Sequence, residues 1–124
     1  MACKHPRIFV SSYGSTILVG RCDKQNDELT QGACKGDLWF HVHKHPGAHV
    51  LLRPVNGYAN AQDIMEAAEY AGFYSKAPNK YQTKVEYCDA QNVWKVPGSP
   101  HGQVMVSKTK LIKINIKRGD IRFS

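Results

Sequence analysis

One segment near the middle of the chain limits the possible folds more than any other. From Ala61 to Ser75 an apolar stripe recurs with helical spacing, and it consists of Ile64, Ala67, Ala68 and Ala71. Asn60 can cap this segment, and Asp63 and Glu66 suit the positive end of a helix dipole. Because most of the stripe is alanine, we expect the helix to pack closely against a sheet.

The rest of the ordered sequence is typical of short strands. Strands are predicted at Arg7–Ser12, Thr16–Gly20, Leu38–Val42, His49–Arg53, Lys84–Cys88, Gln103–Ser107 and Leu111–Ile116. Hairpins are expected across Tyr13-Gly14-Ser15 and around Lys108-Thr109-Lys110. A short polar helix from Asp23 to Leu29, with Asp23 as its N-cap, completes the pattern. The fold class is therefore α+β, with a mixed or antiparallel β-sheet, one main helix and a short second helix.

The chain length and its charge limit the function. The 124 residues suit one domain spanning 1–124, and the formal net charge is +7. Residues 84–124 contain eight Lys/Arg against three Asp/Glu, so they contribute +5 of this charge. A basic field of this kind favours polyanionic partners, with RNA, DNA, an anionic membrane and a merely solubilising surface left open.

The ends and the cysteines of the sequence predict a cytoplasmic protein. The first residues lack the apolar core of a signal peptide, and no apolar run approaches membrane-spanning length. The four cysteines, Cys3, Cys22, Cys34 and Cys88, form no C-x-x-C motif. We expect them to be reduced thiols that serve mostly as packing residues.

Four of the six histidines cluster in one short stretch, which raises the question of a metal. On a continuous strand, His41, His43 and His45 would project from one face, and Asp37 or His49 could complete a zinc site. The turn signal Pro46-Gly47 interrupts that strand. Structural and surface histidines are therefore the favoured interpretation, with a histidine-based metal-dependent enzyme as the weaker alternative.

The sequence contains no hydrolase elbow, P-loop or dinucleotide fingerprint. The glycine-rich stretch from Gly98 to Gly102 can present backbone N–H groups to a phosphate or form an ordinary turn. Trp94, between a polar and a basic neighbour, is the aromatic residue best suited to stack on an unpaired base. The residues alone thus indicate a basic α+β domain that can bind a polyanion.

Three blocks carry a resemblance to a known family. The first is VGRCDKQNDELT at Val19–Thr30, and the second joins Asp37–His41 to Pro46–Val50. The third combines Glu66–Ala68, Tyr74–Ala77, Val85–Tyr87 and Asn92–Gly102. In this order, over about residues 7–116, the blocks resemble the NFACT-R domain, the RNA-binding module of ribosome-quality-control factors that add alanine-containing tails. We expect a stand-alone member of this family.

The resemblance implies non-catalytic RNA binding without a cofactor. The implied partner is tRNA or rRNA, with the ribosome or an RNA-modifying enzyme as further partners, and with no membrane. The residues expected to bind RNA are Arg21, Lys24, Gln25, Asn26, His41, His49, Arg53, Lys76, Trp94, Lys95, His101, Lys108 and Lys110. For His41 and His49, contact with RNA and ordering of the strand pair stay equally open.

Some positions depart from the family pattern, and one other function stays open. His43 and His45 lie outside the pattern, while Trp94 and Pro100 stand where the family has lysines. The alternative function is an accessory that delivers RNA to a tRNA sulfur-transfer pathway. No feature of the sequence indicates an oligomeric state.

Overall fold

The helix that follows Asn60 packs its alanine stripe against one face of an antiparallel sheet. In the computed structural model, which describes residues 4–117, Asn60 Oδ1 accepts a hydrogen bond from Asp63 N at 2.8 Å and caps the helix as predicted. The buried residues at this interface are Phe9, Ile17, Val19, Phe40, Val50, Leu52, Ala67, Ala68, Ala71, Val85, Ile114 and Ile116. The small alanines let the helix backbone approach the strands, which is why one helix covers most of this face.

The described residues form eight strands and two α-helices, which confirms the predicted α+β class. The strands are β1 (Arg7–Val10), β2 (Thr16–Val19), β3 (Leu38–Val42), β4 (Val50–Arg53), β5 (Gln82–Asp89), β6 (Val93–Trp94), β7 (Met105–Val106) and β8 (Lys110–Asn115). The helices are α1 (Asp23–Gln31) and α2 (Ala61–Phe73). Six strands form the main sheet in the order β1-β2-β4-β3-β5-β8, and every neighbouring pair is antiparallel. No helix within residues 4–117 is long and apolar enough to cross a membrane.

The predicted hairpin around Lys108 is wrong. β7 pairs with β6 in a separate two-stranded ribbon, while β8 pairs with β5 at the edge of the main sheet. The reason is burial: Ile114 of β8 belongs to the core under α2, whereas Val106 of β7 packs against the opposite face of the sheet. β7 and β8 lie in different layers of the protein, so they do not pair with each other. The predicted alternation in β8 is confirmed, since Ile114 is buried and Lys113 is exposed.

A second layer covers the centre of the sheet face opposite α2. The β6–β7 ribbon packs there over a smaller apolar cluster formed by Trp39, Leu51, Cys88 and Ala90. α1 also lies on this side, and it begins one residue earlier than predicted: Cys22 is the N-cap, and Asp23, the predicted N-cap, is the first helical residue. Cys22 is disulfide-bonded, so the expected reduced thiol is wrong at this position, while Cys34 and Cys88 are free.

We predict that Gly20→Ala destabilises the fold. A Cβ at Gly20 would lie 1.9 Å from Asn26 Oδ1, the atom that accepts a hydrogen bond from His49 N. Displacing that amide leaves a buried donor without its partner, at a cost of about 1–3 kcal/mol in the free energy of unfolding. Urea denaturation measures this loss. Gly32→Ala, at a position where φ is −89°, is the control and should change stability by less than about 0.5 kcal/mol; equal losses in both variants would contradict the prediction.

Candidate nucleic-acid interface

The polar side of α1 is turned into the protein. Gln25, Asn26 and Asp27 are 7%, 3% and 5% exposed, although a short polar helix would ordinarily show such residues to solvent. Gln25 Oε1 accepts from Arg21 N at 2.7 Å, and its amide nitrogen donates to Lys4 O. Asn26 Oδ1 accepts from His49 N at 3.1 Å. α1 therefore fixes the backbone of two neighbouring segments through its side chains.

Asp27 anchors the glycine-rich loop at residues 95–103. Its carboxylate accepts from Gly102 N at 2.9 Å and lies 3.1 Å from His101 Nδ1 and 3.2 Å from Lys95 Nζ. Burial alone would raise the pKa of Asp27, but the hydrogen bonds from Gly102, His101 and Lys95 together hold it below its usual value. Lys95 also donates to the carbonyls of Pro100 and Gln103. The Asp27 carboxylate therefore holds the glycine-rich loop against α1.

His49 joins the loop to the sheet. Its ring is buried, and Nδ1 accepts from Trp39 Nε1 at 3.2 Å, while the ring also hydrogen-bonds to the backbone of Gly102. The His41 ring lies edge-on at 5.3 Å. Burial, with the neighbouring His41, lowers the pKa of His49 to about 4. At neutral pH the imidazole is thus an uncharged acceptor within the framework.

The turn between β3 and β4 is tied to the segment that follows α2. Ala48 N donates to Tyr74 O, and Lys76 N donates to Pro46 O, at 2.9 and 2.8 Å. Between them Gly47 and Ser75 form an isolated antiparallel bridge. A Cβ at Gly47 would lie 2.9 Å from Ser75 Cβ, so this approach requires glycine.

These contacts enclose a cleft of about 460 Å³ at one end of the sheet. We call it the basic cleft; its lining residues are Arg7, Gly20, Arg21, Cys22, Asp23, Asn26, Pro46, Gly47, Ala48, Phe73, Tyr74, Ser75 and Lys76. All three blocks that carried the family resemblance contribute to this lining. The cleft therefore gathers residues that are more than 50 positions apart in the sequence.

The charge of the basic cleft is positive. Arg7 lies over the Tyr74 ring, with Cζ 4.4 Å from the ring centroid, and Arg21 Nε donates to His5 O at 2.7 Å. Lys76 is exposed, and Asp23 is the one acidic residue in the lining. Three cationic groups around one concave surface favour an anionic ligand such as a phosphate backbone.

The structure brings together only part of the predicted RNA-binding set. Arg21, Asn26 and Lys76 line the basic cleft, and Lys24 is exposed on the adjacent helix. The buried members Gln25, Asn26 and His49 have their side chains bonded inside the protein, and His41 is half-buried beside His49. Three other members, Arg53, Lys108 and Lys110, lie at the opposite end of the sheet, and Trp94, Lys95 and His101 belong to the ribbon and its loop.

At the opposite end of the sheet, Arg53 already has a partner. Its guanidinium donates to Asp37 Oδ2 at 2.8 Å, and Asp37 is buried. In the ribbon, Trp94 is 48% exposed and pairs in register with Met105. The sequence interpretation missed Arg7, which looked like an ordinary first residue of a strand. It also missed Gly47, whose signal was the Pro46-Gly47 pair that was interpreted as a strand break.

The histidine-based metal site fails on geometry. β3 ends at Val42, and Lys44 takes a left-handed conformation with φ of 63°, so His41, His43 and His45 do not follow one strand face. His43 Nδ1 instead lies 3.7 Å from Glu86 Oε2. Within residues 4–117 no group of three or more His, Cys, Asp or Glu side chains is arranged to hold a metal ion.

The antiparallel sheet, its two helices and the basic cleft define a small α+β domain with a cationic concave surface. Residues 5–108 match the family described as the NFACT protein RNA binding domain. The chain belongs to this family, as its three sequence blocks predicted.

Relatives and a solved structure agree with this assignment. The chain is 38% identical over 97 residues to the Rqc2 homolog RqcH of Bacillus subtilis, a match that covers 77% of this chain and 17% of the relative. It is 35% identical over 111 residues to the Rqc2 homolog RqcH of Streptococcus suis, covering 88% and 20%. The C-terminal part of a fibronectin/fibrinogen-binding protein from Streptococcus suis superposes with a TM-score of 0.86 at 32% identity, covering 95% of this chain and 48% of that one. The chain spans about a fifth of the length of these RqcH relatives.

We predict that acid weakens the fold through His49. Since the pKa of His49 is about 4 in the folded protein and about 6.5 in the unfolded chain, only the unfolded state gains the proton between these values. The free energy of unfolding should therefore fall by roughly 3 kcal/mol from pH 6.5 to pH 4. Burial also lowers the pKa of His41, so it adds to the same slope.

Urea unfolding of the wild type and His49→Gln at several pH values checks this assignment. Glutamine keeps an acceptor for Trp39 but does not titrate, so the slope between pH 4 and 6.5 should shrink in this variant. The exposed His5→Gln is the matched control and should keep the slope. An unchanged slope in His49→Gln would refute the assignment. Asp27 also contributes to the free energy of unfolding, but because its pKa is lowered, that contribution is lost only below pH 4.

Proposed function

We propose that this chain is a non-catalytic RNA-binding domain that engages tRNA or rRNA through the basic cleft and acts in ribosome quality control. The observation that carries the proposal is the convergence of the three family blocks on one concave surface bearing Arg7, Arg21 and Lys76. The family of RNA-binding domains and the RqcH relatives support the RNA partner and the cellular context.

Phosphate recognition in the basic cleft uses exposed side chains on a rigid backbone. Arg21 is held from both sides, because its backbone N–H donates to Gln25 and its Nε donates to His5 O. Lys76 is held through its backbone bond to Pro46 O while its side chain stays exposed. Cationic groups that are already positioned lose less conformational entropy when a ligand binds.

The buried polar residues position these cations. Asn26 and His49 connect α1 to the start of β4, and the turn that precedes β4 packs directly on Ser75. We therefore assign Gln25, Asn26 and His49 to holding the cleft, and Arg7, Arg21, Lys24 and Lys76 to contacting RNA.

A second, weaker contact is assigned to the far end of the sheet and the ribbon. Lys108 and Lys110 are exposed there, and Trp94 offers a half-exposed ring for stacking. Lysines on an exposed turn contact phosphates without reading sequence. A long RNA could reach both ends, whereas a short one would occupy the basic cleft alone.

We predict that Arg21→Ala combined with Lys76→Ala weakens binding to tRNA and rRNA fragments alike. Each phosphate contact contributes about 0.7–0.9 to the slope of log affinity against log salt, so removing two contacts should flatten the slope by up to about 2. Filter binding at several salt concentrations measures both quantities. The exposed Lys35→Ala, outside the cleft, is the control for loss of net charge.

A second double variant, at the far end of the sheet, tests whether the basic cleft is the main RNA contact. The double variant Lys108→Ala and Lys110→Ala should flatten the slope less than the cleft variant does when short RNA is used. A wild-type chain that binds no tRNA or rRNA fragment at low salt would overturn the proposed function. An unaffected cleft variant would overturn the assignment of the basic cleft.

A further inference from the structure

Part of the sheet face opposite α2 is left open beside β5 and β8. His41, Glu86 and Leu111 are register partners across β3, β5 and β8, so their side chains share this face. The next row contains Lys84 and Lys113, and His43 N donates to Lys84 O. We call this surface the open sheet face, formed by His41, His43, Lys84, Glu86, Leu111 and Lys113. Leu111 is 54% exposed and both lysines are exposed, so the described residues leave this face accessible.

A pocket of about 220 Å³ lies where the open sheet face meets the segment from Gly102 to Val106. Its walls include Trp39, His41 and His49. The Trp39 and His41 rings are 5.9 Å apart and nearly parallel, with an angle of 6° between their planes. The pocket is smaller than the roughly 300–1,000 Å³ typical of sites for drug-sized ligands, so it suits one planar ring.

The Glu86 carboxylate lines this pocket and is a hydrogen-bond acceptor. Its Oε2 lies 3.7 Å from His43 Nδ1, which is longer than a hydrogen bond. His49 Nδ1, in contrast, already accepts from Trp39. Gln103, which also lines the pocket, is exposed and carries both a donor and an acceptor. Among the described residues no donor forms a hydrogen bond with the Glu86 carboxylate, so a ligand would meet two acceptor oxygens beside an amide.

We propose that this pocket binds an unpaired guanine base. Guanine presents two neighbouring N–H donors on its pairing edge, which match the two oxygens of the Glu86 carboxylate in a bidentate contact. Adenine and cytosine offer a single amino group on that edge, and uracil places carbonyl oxygens beside its one N–H. The inference deepens the proposed function and rests on it, since it assigns base recognition to a domain that otherwise contacts phosphates.

The position of the pocket fits one continuous RNA strand. β3 ends and β5 begins at the same end of the sheet where β2 ends beside the basic cleft. Lys84 and Lys113 flank the pocket row on β5 and β8, where they can contact the phosphates next to a bound base. Phosphates in the basic cleft and a base in the pocket would therefore lie on neighbouring surfaces.

The test uses oligouridine RNA with one central guanosine, inosine, adenosine or cytidine, with tRNA measured in parallel. Inosine lacks the second donor, so the full chain should bind the guanosine oligomer about tenfold more tightly than the inosine oligomer. In Trp94→Phe, Trp39 is the single tryptophan, and guanosine should change its fluorescence more than inosine does. Glu86→Gln should abolish the guanosine-to-inosine ratio, while the exposed Glu28→Gln should keep it.

The outcomes separate this inference from the proposed function. Equal affinity of the wild-type chain for the guanosine and inosine oligomers, with salt-sensitive tRNA binding retained, overturns the guanine pocket alone. Absence of binding to every RNA overturns both. If Glu86→Gln does not fold, the guanosine-to-inosine affinity ratio of the wild-type chain still decides whether the pocket binds guanine.

Discussion

The burial of three consecutive polar side chains in α1 is the constraint on which the rest of this structure depends. A buried amide or carboxylate without partners costs about 1–3 kcal/mol or more, so Gln25, Asn26 and Asp27 must each be satisfied within the protein. The partners come from the segment before β1, the residue before the N-cap of α1, the start of β4 and the glycine-rich loop. Three segments that are at least 21 positions away in the sequence are therefore held around one turn of α1.

This arrangement separates the groups that build the basic cleft from the groups that we propose contact RNA. His49 accepts from Trp39 and also bonds to Gly102, so the framework of α1 extends under the pocket on the open sheet face. Arg21 and Lys76 are fixed through their backbones; the Arg21 guanidinium is also held by His5 O, and the Lys76 side chain stays in solvent. Changes to the buried set should therefore alter both stability and binding, while changes to the exposed cations should alter binding alone.

Local patterns predicted much of the fold, and long-range contacts decided the rest. The alanine stripe predicted α2 because a helix repeats its buried positions every three or four residues, and alternation predicted β8 in the same way. The pairing of β7 with β6 depends on which layer each strand covers, which no local pattern encodes. Arg21 and Lys76 were predicted through the family blocks. Gln25 and Asn26 resembled surface amides in the sequence, because the contacts that bury them come from other segments, such as Gly20 and His49. The pocket between Trp39 and Glu86 had no sequence signal, because its walls come from three strands and a loop.

Amide hydrogen exchange of the full chain, with and without saturating tRNA, tests RNA binding by the basic cleft most directly. We expect slower exchange on RNA binding in the three segments of the basic cleft that come from the family blocks, namely 20–24, 47–48 and 74–76. Little change is expected on the solvent side of α2, which lies away from the cleft. Protection confined to α2, or to the far end of the sheet around residues 108–110, would contradict the assignment of RNA binding to the basic cleft.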